Sequence, residues 1–261
     1  MIRLLYSENL KIYNRKSTWV MLAILIFWTL FTVVSNRDLD NSLFLNIWGR
    51  IANQLSFIFL INLFTVIIAS GIIANEFNWG TIKLLLIRPV RRGRVLLAKY
   101  LAVLLFGALL MTILFTLSLS INLLLDLFGK SGAGAALESV PEQKLWFNSL
   151  KGVILAYGLK YIEVVIYGTL ALMLSALSKS NALTIGSVLM MMILGPELAR
   201  LFAEKAWAKY ILFNNLNLPQ YLNGESLLPG MSMQFSLAVL GLYGVVFYMI
   251  TWVVFVKQDV L

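Results

Sequence analysis

Six runs of mostly apolar residues leave this chain few ways to fold: Trp19–Ser35, Leu55–Ala74, Val95–Leu125, Val153–Leu177, Ala182–Phe202 and Phe235–Val256. A helix needs about 20 such residues to cross roughly 30 Å of hydrocarbon. Each run therefore predicts a transmembrane helix, and the expected fold is an all-α integral membrane protein with one transmembrane domain over residues 1–261. The third run is longer than one crossing needs and should project beyond the bilayer. The fifth is the shortest in effect. Its clean part, Ala182–Leu194, covers only about 20 Å, and Gly195-Pro196-Glu197 should then kink or end the helix.

Composition supports a lipid solvent. The chain is 60% hydrophobic and 13% charged, whereas a soluble domain is about 45–50% apolar and about 25% charged. It contains no cysteine and no histidine. That excludes disulfides, thiolate nucleophiles, histidine bases and the usual zinc sites together. Arg3, Glu8, Lys11, Arg15 and Lys16 interrupt any early apolar core, so the first residues do not read as a signal peptide.

Basic residues set the expected orientation. With the N-terminus inside, six spans return the C-terminus to the inside as well. The inner segments then hold the larger share of Lys and Arg, while most acids lie outside. The whole net charge of +9 falls on the inner face. This predicts a multi-pass protein of the cell membrane with both termini cytoplasmic and its basic face on anionic lipid; it does not predict a nucleic-acid surface. Residues 1–16 alternate apolar Ile2, Leu5, Tyr6, Leu10 and Tyr13 with Arg3, Lys11 and Arg15 at helical spacing. They predict an interfacial helix lying flat before the first span; a frayed basic terminus is the alternative.

One segment does not fit a simple bundle. EFNWGTIKLLLIRPVRRGRVLLAK, Glu76 to Lys99, is basic and broken by proline, yet joins two apolar runs. The second span is expected to end near Ala74, with Asn75 capping a new helix and Glu76 at its positive dipole end. Phe77, Trp79, Ile82 and Leu84–Ile87 give that helix an apolar face, and Pro89 stops it. Arg91, Arg92 and Arg94 then anchor the third span at the headgroups. The expectation is a short helix across the membrane face over residues 75–92.

Glu76, Gly80-Thr81, Lys83, Leu85-Leu86, Pro89, Arg92 and Lys99 resemble the E…GT-x-K-x-LL-x-x-P…R…K signature of ABC-2 type permeases, the membrane subunits of ATP-driven exporters. The likeness is dense within this segment and looser over the rest of the chain. It implies a permease half that pairs with a second half, identical or different, above two copies of an ATP-binding subunit. It also implies that the segment between spans two and three is a coupling helix seated in a cleft of the ATPase. On that resemblance Glu76, Gly80, Thr81, Lys83, Arg88 and Pro89 are the coupling residues, with Gly80 allowing close backbone approach and Lys83 and Arg88 pairing with acids of the partner. The permease would bind no cofactor and have no ATPase site of its own; ATP and Mg would sit on the partner subunit.

Gly129-Lys130-Ser131 is not a phosphate loop. The required glycine five residues earlier is Leu124, within an apolar helix. Lys130–Ala136 reads better as a flexible outer loop.

Lys160 and Glu163 stand three residues apart inside the fourth run and share a helix face. Charges within a membrane span mark functional sites by default. Either the two line a translocation path near its outer mouth, or they satisfy each other near the interface, with Lys160 snorkelling outward and the span starting at Tyr161. Beyond the fifth run, Pro196, Glu197 and Arg200 precede turn formers at Asn214, Asn215, Asn217, Pro219 and Asn223-Gly224. They predict a broken or re-entrant outer hairpin capping the outer mouth; a kinked fifth span followed by a surface loop is the alternative. Small residues at Ala69-Ser70-Gly71 and at Gly241 and Gly244 could let helices approach closely.

The expected function is that of a membrane-spanning permease subunit exporting an amphipathic substrate, such as an antimicrobial peptide or lipid-like compound, as in antibiotic resistance. An ion-coupled carrier using Lys160 and Glu163 is the competing expectation, and a non-transporting membrane scaffold is a third.

Overall fold

The computed structural model describes residues 1–35, 47–78, 92–128, 149–224 and 226–257. Two helices precede the first gap, α1 (Ile2–Tyr13) and α2 (Lys16–Ser35). Next come α3 (Ile47–Asn53), a tight helical turn over Gln54–Phe57 and α4 (Ile58–Asn78). The remaining long helices are α5 (Arg92–Phe128), α6 (Leu150–Ser178), α7 (Asn181–Leu201) and, after a series of short turns that includes α8 (Leu212–Asn215), α9 (Met233–Lys257).

Six helical stretches are long and apolar enough to cross a membrane: Lys16–Val33, Ile47–Glu76, Gly93–Leu124, Leu150–Ser178, Asn181–Leu201 and Met233–Val256. They coincide with the six apolar runs, and the third is indeed over-long. In hydrocarbon every backbone N–H and C=O must be bonded within the chain, and helices achieve this locally. Side-chain hydroxyls follow the same rule. Thr29, Thr169 and Thr251 each donate to the carbonyl four residues earlier, on Leu25, Val165 and Phe247.

The bundle is built around α4. The most apolar window of its span is 72% buried, against 11% for α9, so α4 is central and α9 peripheral. The α4 and α6 helices share the most extensive contact. Tyr157 donates to the Ile51 carbonyl at 3.2 Å and Tyr161 to the Leu104 carbonyl at 2.8 Å, tying α6 to α3 and α5. Helix α6 begins with Ser149 accepting the Gly152 N–H at 3.2 Å and ends with Lys179 in the left-handed region, φ 53. That turn sends α7 straight back along the bundle.

Small residues bring α4, α6 and α7 together. Ser175 donates to the Ser70 carbonyl at 2.7 Å and accepts from the Ala74 N–H at 3.1 Å, while Ser70 also bonds Asn181. A Cβ on Gly71 would lie 3.0 Å from the Arg15 guanidinium. The Ala69-Ser70-Gly71 patch thus packs within this chain. Gly244 faces Ile166 at 3.6 Å, whereas nothing lies within 4 Å of a Cβ on Gly241.

Two boundaries differ from the sequence reading. Asn75 does not cap a new helix, because α4 continues without a break to Asn78. Pro196 does not end the fifth span, because α7 runs through it to Leu201. A proline just over four turns into a helix removes one N–H bond, and the rest of the ladder holds when neighbours cover the freed carbonyl. Gly195 beside it has another role. A Cβ there would run into the Phe213 ring, so the glycine lets Phe213 pack closely on α7.

Gly93, at the start of α5, meets Trp252 near the finish of α9, and α1 also lies against α5. One end of the bundle therefore carries α1, the close of α4, the opening of α5 and the last turns of α9. It is called the termini end below.

Candidate functional site

Polar side chains gather at both ends of the bundle. At the termini end the centre is Lys99, fully buried in the second turn of α5. Its ammonium donates to Glu76 at 2.5 Å, to Glu8 at 3.1 Å and to the Ile72 carbonyl at 3.4 Å. Lys11 bonds the other Glu8 oxygen at 2.6 Å and stands 3.6 Å from Glu76. Two lysines and two glutamates thus meet in one cluster. Desolvation pushes the Glu8 carboxyl up, but Lys99 and Lys11 more than offset it and hold it below its ordinary range. The cluster fastens α1 to α4 and α5, and so explains how a short amphipathic helix keeps a fixed place under the bundle.

Glu76 and Lys99 are also the two ends of the segment singled out in the sequence. Gly80, Thr81, Lys83, Arg88, Pro89 and Arg91 lie outside the described residues, and so does the coupling helix expected there. Arg92 opens α5, and Arg94 in its first turn is exposed. The expected outer loop Lys130–Ala136 is likewise outside the described residues.

At the opposite end a cavity of about 220 Å³ lies between α4, α6 and α7 and is closed by the connection from α7 to α9. Lys160, Glu163, Pro196 and Arg200 all line it, so residues from two separate sequence stretches meet in one place. Lys160 donates to Glu163 at 2.9 Å, and Asn62 of α4 donates to the other Glu163 oxygen at 2.8 Å. The lysine does not snorkel outward. Its side chain is only 16% exposed and folds along α6, which already begins at Leu150. The carboxylate is therefore held from two sides by two helices, an arrangement that makes an ion pair tolerable in a low-dielectric setting. Glu197 does not line the cavity. It bonds Arg200 at 2.9 Å on the outer surface, where both side chains are about two-thirds exposed (66% and 65%).

The lid of the cavity is polar in sequence but ordered in structure. Asn214 donates to the Ala208 carbonyl at 2.9 Å, and Asn215 donates to the carbonyls of Lys209 and Ile211. Tyr221 and Ser236 share a hydrogen bond of 2.8 Å that fixes the connection to α9. Phe213, Leu216 and Gln220 turn inward from this connection onto the cavity.

The sequence reading missed Glu8, Asn62 and Gln220. Asn62 carried a usable signal: it is an amide within an otherwise apolar span, fully buried in the bundle. Glu8 was absorbed into the polar face of α1, and Gln220 was hidden among turn formers. No group of three or more acids, cysteines or histidines that could hold a metal occurs among the described residues.

The fold and these sites define a multi-pass α-helical membrane protein with a charge cluster at one end and a polar cavity at the other. The chain belongs to the DUF2705 family, described as a protein of unknown function, whose model matches residues 20–261. It is 34% identical over 313 aligned residues to the "Uncharacterized protein YhcI" of Bacillus subtilis (strain 168), covering 100% of this chain and 99% of the relative. It is also 30% identical over 262 residues to the "Uncharacterized membrane protein YdbK" of the same organism, covering 96% of this chain and 99% of the relative.

Proposed function

We propose that this protein is the membrane-spanning permease subunit of an ATP-driven ABC exporter, energised by a separate ATP-binding subunit present in two copies. It pairs with a second permease half, as a homodimer or a heterodimer, and moves an amphipathic substrate out of the cell. Both termini, and the connection between the second and third spans, face the cytoplasm. The observation that carries this reading is the joining of Glu76 and Lys99 to each other and to Glu8 of α1. These are the outer positions of the coupling-like motif. A push delivered between them reaches α1, α4 and α5 at once, since all three are bonded through one buried lysine. An external motor needs a rigid attachment of this kind, because the chain has no nucleotide-binding loop of its own.

Lys83→Glu tests the reading directly. Co-expressed with its ATPase, the variant should insert normally and lose most substrate-stimulated ATP hydrolysis. Stimulation at the parent level, or purification with no ATPase partner under any condition, overturns the proposal. Glu76→Ala is a poorer test, because Glu76 also holds the bundle together.

A second reading rests on the Lys160–Glu163 pair at the cavity: an ion-coupled carrier, with Glu163 exchanging a proton or cation. Substrate uptake into nucleotide-free proteoliposomes, driven by an ion gradient alone, would favour it over the exporter.

A further inference from the structure

We propose that the groove between α5, α6 and α9 binds an anionic phospholipid, with one acyl chain lying along it and the phosphate beside Arg94. The groove holds about 760 Å³, within the roughly 300–1,000 Å³ typical of small-molecule sites. Leu97, Tyr100, Val165, Leu240, Val245 and Trp252 are among its walls, and no residue that lines it is charged. It opens along α9, where Val245, Met249 and Trp252 are 55%, 61% and 44% exposed. In a membrane-spanning bundle that opening meets hydrocarbon. An acyl chain seated there regains the dispersion contacts that an empty groove forfeits.

Shape and length suit one chain. Gly241 lines the groove, and nothing lies within 4 Å of a Cβ built on it, so the α9 wall is low there and leaves space beside the backbone. The lining on α9 runs from Leu237 to Val253, about 24 Å at 1.5 Å per residue. One leaflet accounts for half of the roughly 30 Å of hydrocarbon. The groove therefore accommodates an acyl chain over its full length.

The charge lies at the termini end. Trp252 lines the groove there and stands against Gly93, and tryptophan marks the headgroup level of membrane proteins. Arg94 follows Gly93, one turn before Leu97, and is exposed. Among the described residues it has no salt bridge, because the carboxylates of this end, Glu8 and Glu76, are taken up by Lys99 and Lys11. An arginine lays its stem along apolar surface while its guanidinium reaches water or a phosphate. A hydrocarbon slot with an unpaired cation at one end is complementary to an anionic lipid. A second copy of this chain suits it less. Packed here about a two-fold axis along the bundle, it would bring its own Arg94 to the same level, like charge facing like. The inference is independent of the exporter reading, since lipid binding is measured without nucleotide or any second subunit; its failure would leave that reading standing.

The chain has no cysteine, so Val245→Cys gives a single attachment point for bimane on the groove wall, about 10 Å along α9 from Trp252. There the dye faces the middle of a bound acyl chain. The full-length variant is reconstituted in vesicles of phosphatidylcholine and phosphatidylglycerol, one or the other carrying bromine at mid-chain to quench the dye. Quenching should report about fivefold tighter binding of phosphatidylglycerol, the worth of one arginine against anionic lipid. Arg94→Gln and, separately, Gly241→Phe, whose ring fills the groove, should each bring that ratio close to one, with thermal unfolding confirming the fold. Excess soluble glycerol phosphate should leave the parent ratio unchanged, because a phosphate without a chain has no hold on the groove. Should Gly241→Phe fail to fold, Arg94→Gln alone decides. A parent ratio near one, a ratio that survives Arg94→Gln or a folded Gly241→Phe, loss of the preference with glycerol phosphate, or disulfide crosslinking of Val245→Cys to a second copy in place of quenching would each overturn the inference.

Discussion

Lys99 and Lys160 are both lysines paired with glutamate inside the same bundle, yet their surroundings differ. Lys99 is sealed, with two carboxylates and a carbonyl around it. Lys160 has one carboxylate and borders an open cavity. The first arrangement leaves no room for a ligand and joins three helices. The second joins two helices through Asn62 and keeps a free face. Identical residue types therefore serve as a brace in one place and as part of a pocket wall in the other. What separates them is the number of partners each ammonium has and whether space remains beside it.

That contrast can be broken most easily at Lys99. Replacing it with methionine leaves Glu8 and Glu76 buried without the ammonium that links them. The loss should be about 3–5 kcal/mol, read as a large drop in the detergent melting temperature, together with proteolytic release of α1. A loss under 1 kcal/mol would show that the cluster is no brace. Lys160→Met should cost less, about 1.5–3 kcal/mol, because Asn62 still holds Glu163 and the cavity can admit water. If the two variants melted alike, the distinction between a sealed and an open pair would fail.

Gly195→Ala addresses the roof of the cavity. The new methyl would push the Phe213 ring off α7, an overpacking worth about 1–2 kcal/mol. It should also speed labelling of a cysteine placed at Leu227. Combining it with Phe213→Ala should cost no more than Phe213→Ala alone, since the clash then has no second party.

The smallest effect concerns pH. The folded state holds the Glu8 carboxyl below its ordinary value. Its contribution is therefore present above the unfolded value, about 4.3, and is lost as pH falls through the lower folded value. The melting temperature should fall in that acid window, and Glu8→Gln should flatten the fall. An unchanged acid slope in the variant would place the acid sensitivity elsewhere.

Much of this was legible before any coordinates. Six apolar runs announce six helices, because nothing else satisfies so much backbone in hydrocarbon. The amphipathic spacing of residues 2–13 likewise gives α1. The Lys160–Glu163 pair is readable from a spacing of three, since such residues share a helix face. Helix ends were less legible. Asn75 and Pro196 carry strong local signals for a start and a stop, but packing of α4 and α7 against their neighbours outweighed both. The capping and breaking preferences involved are worth about 1–3 kcal/mol each, which tertiary contact along a long helix exceeds.

Local composition and helical period are enough to set the lipid solvent, the six long apolar helices and the places where charge interrupts them. Which side chains meet is set by helix packing: Glu8 with Lys99 across 91 residues, Asn62 with Glu163 across 101, and Gly195 beneath Phe213. Such pairings depend on how helices lie against one another, and an apolar run that is nearly uniform around its circumference does not say which of its faces turns inward.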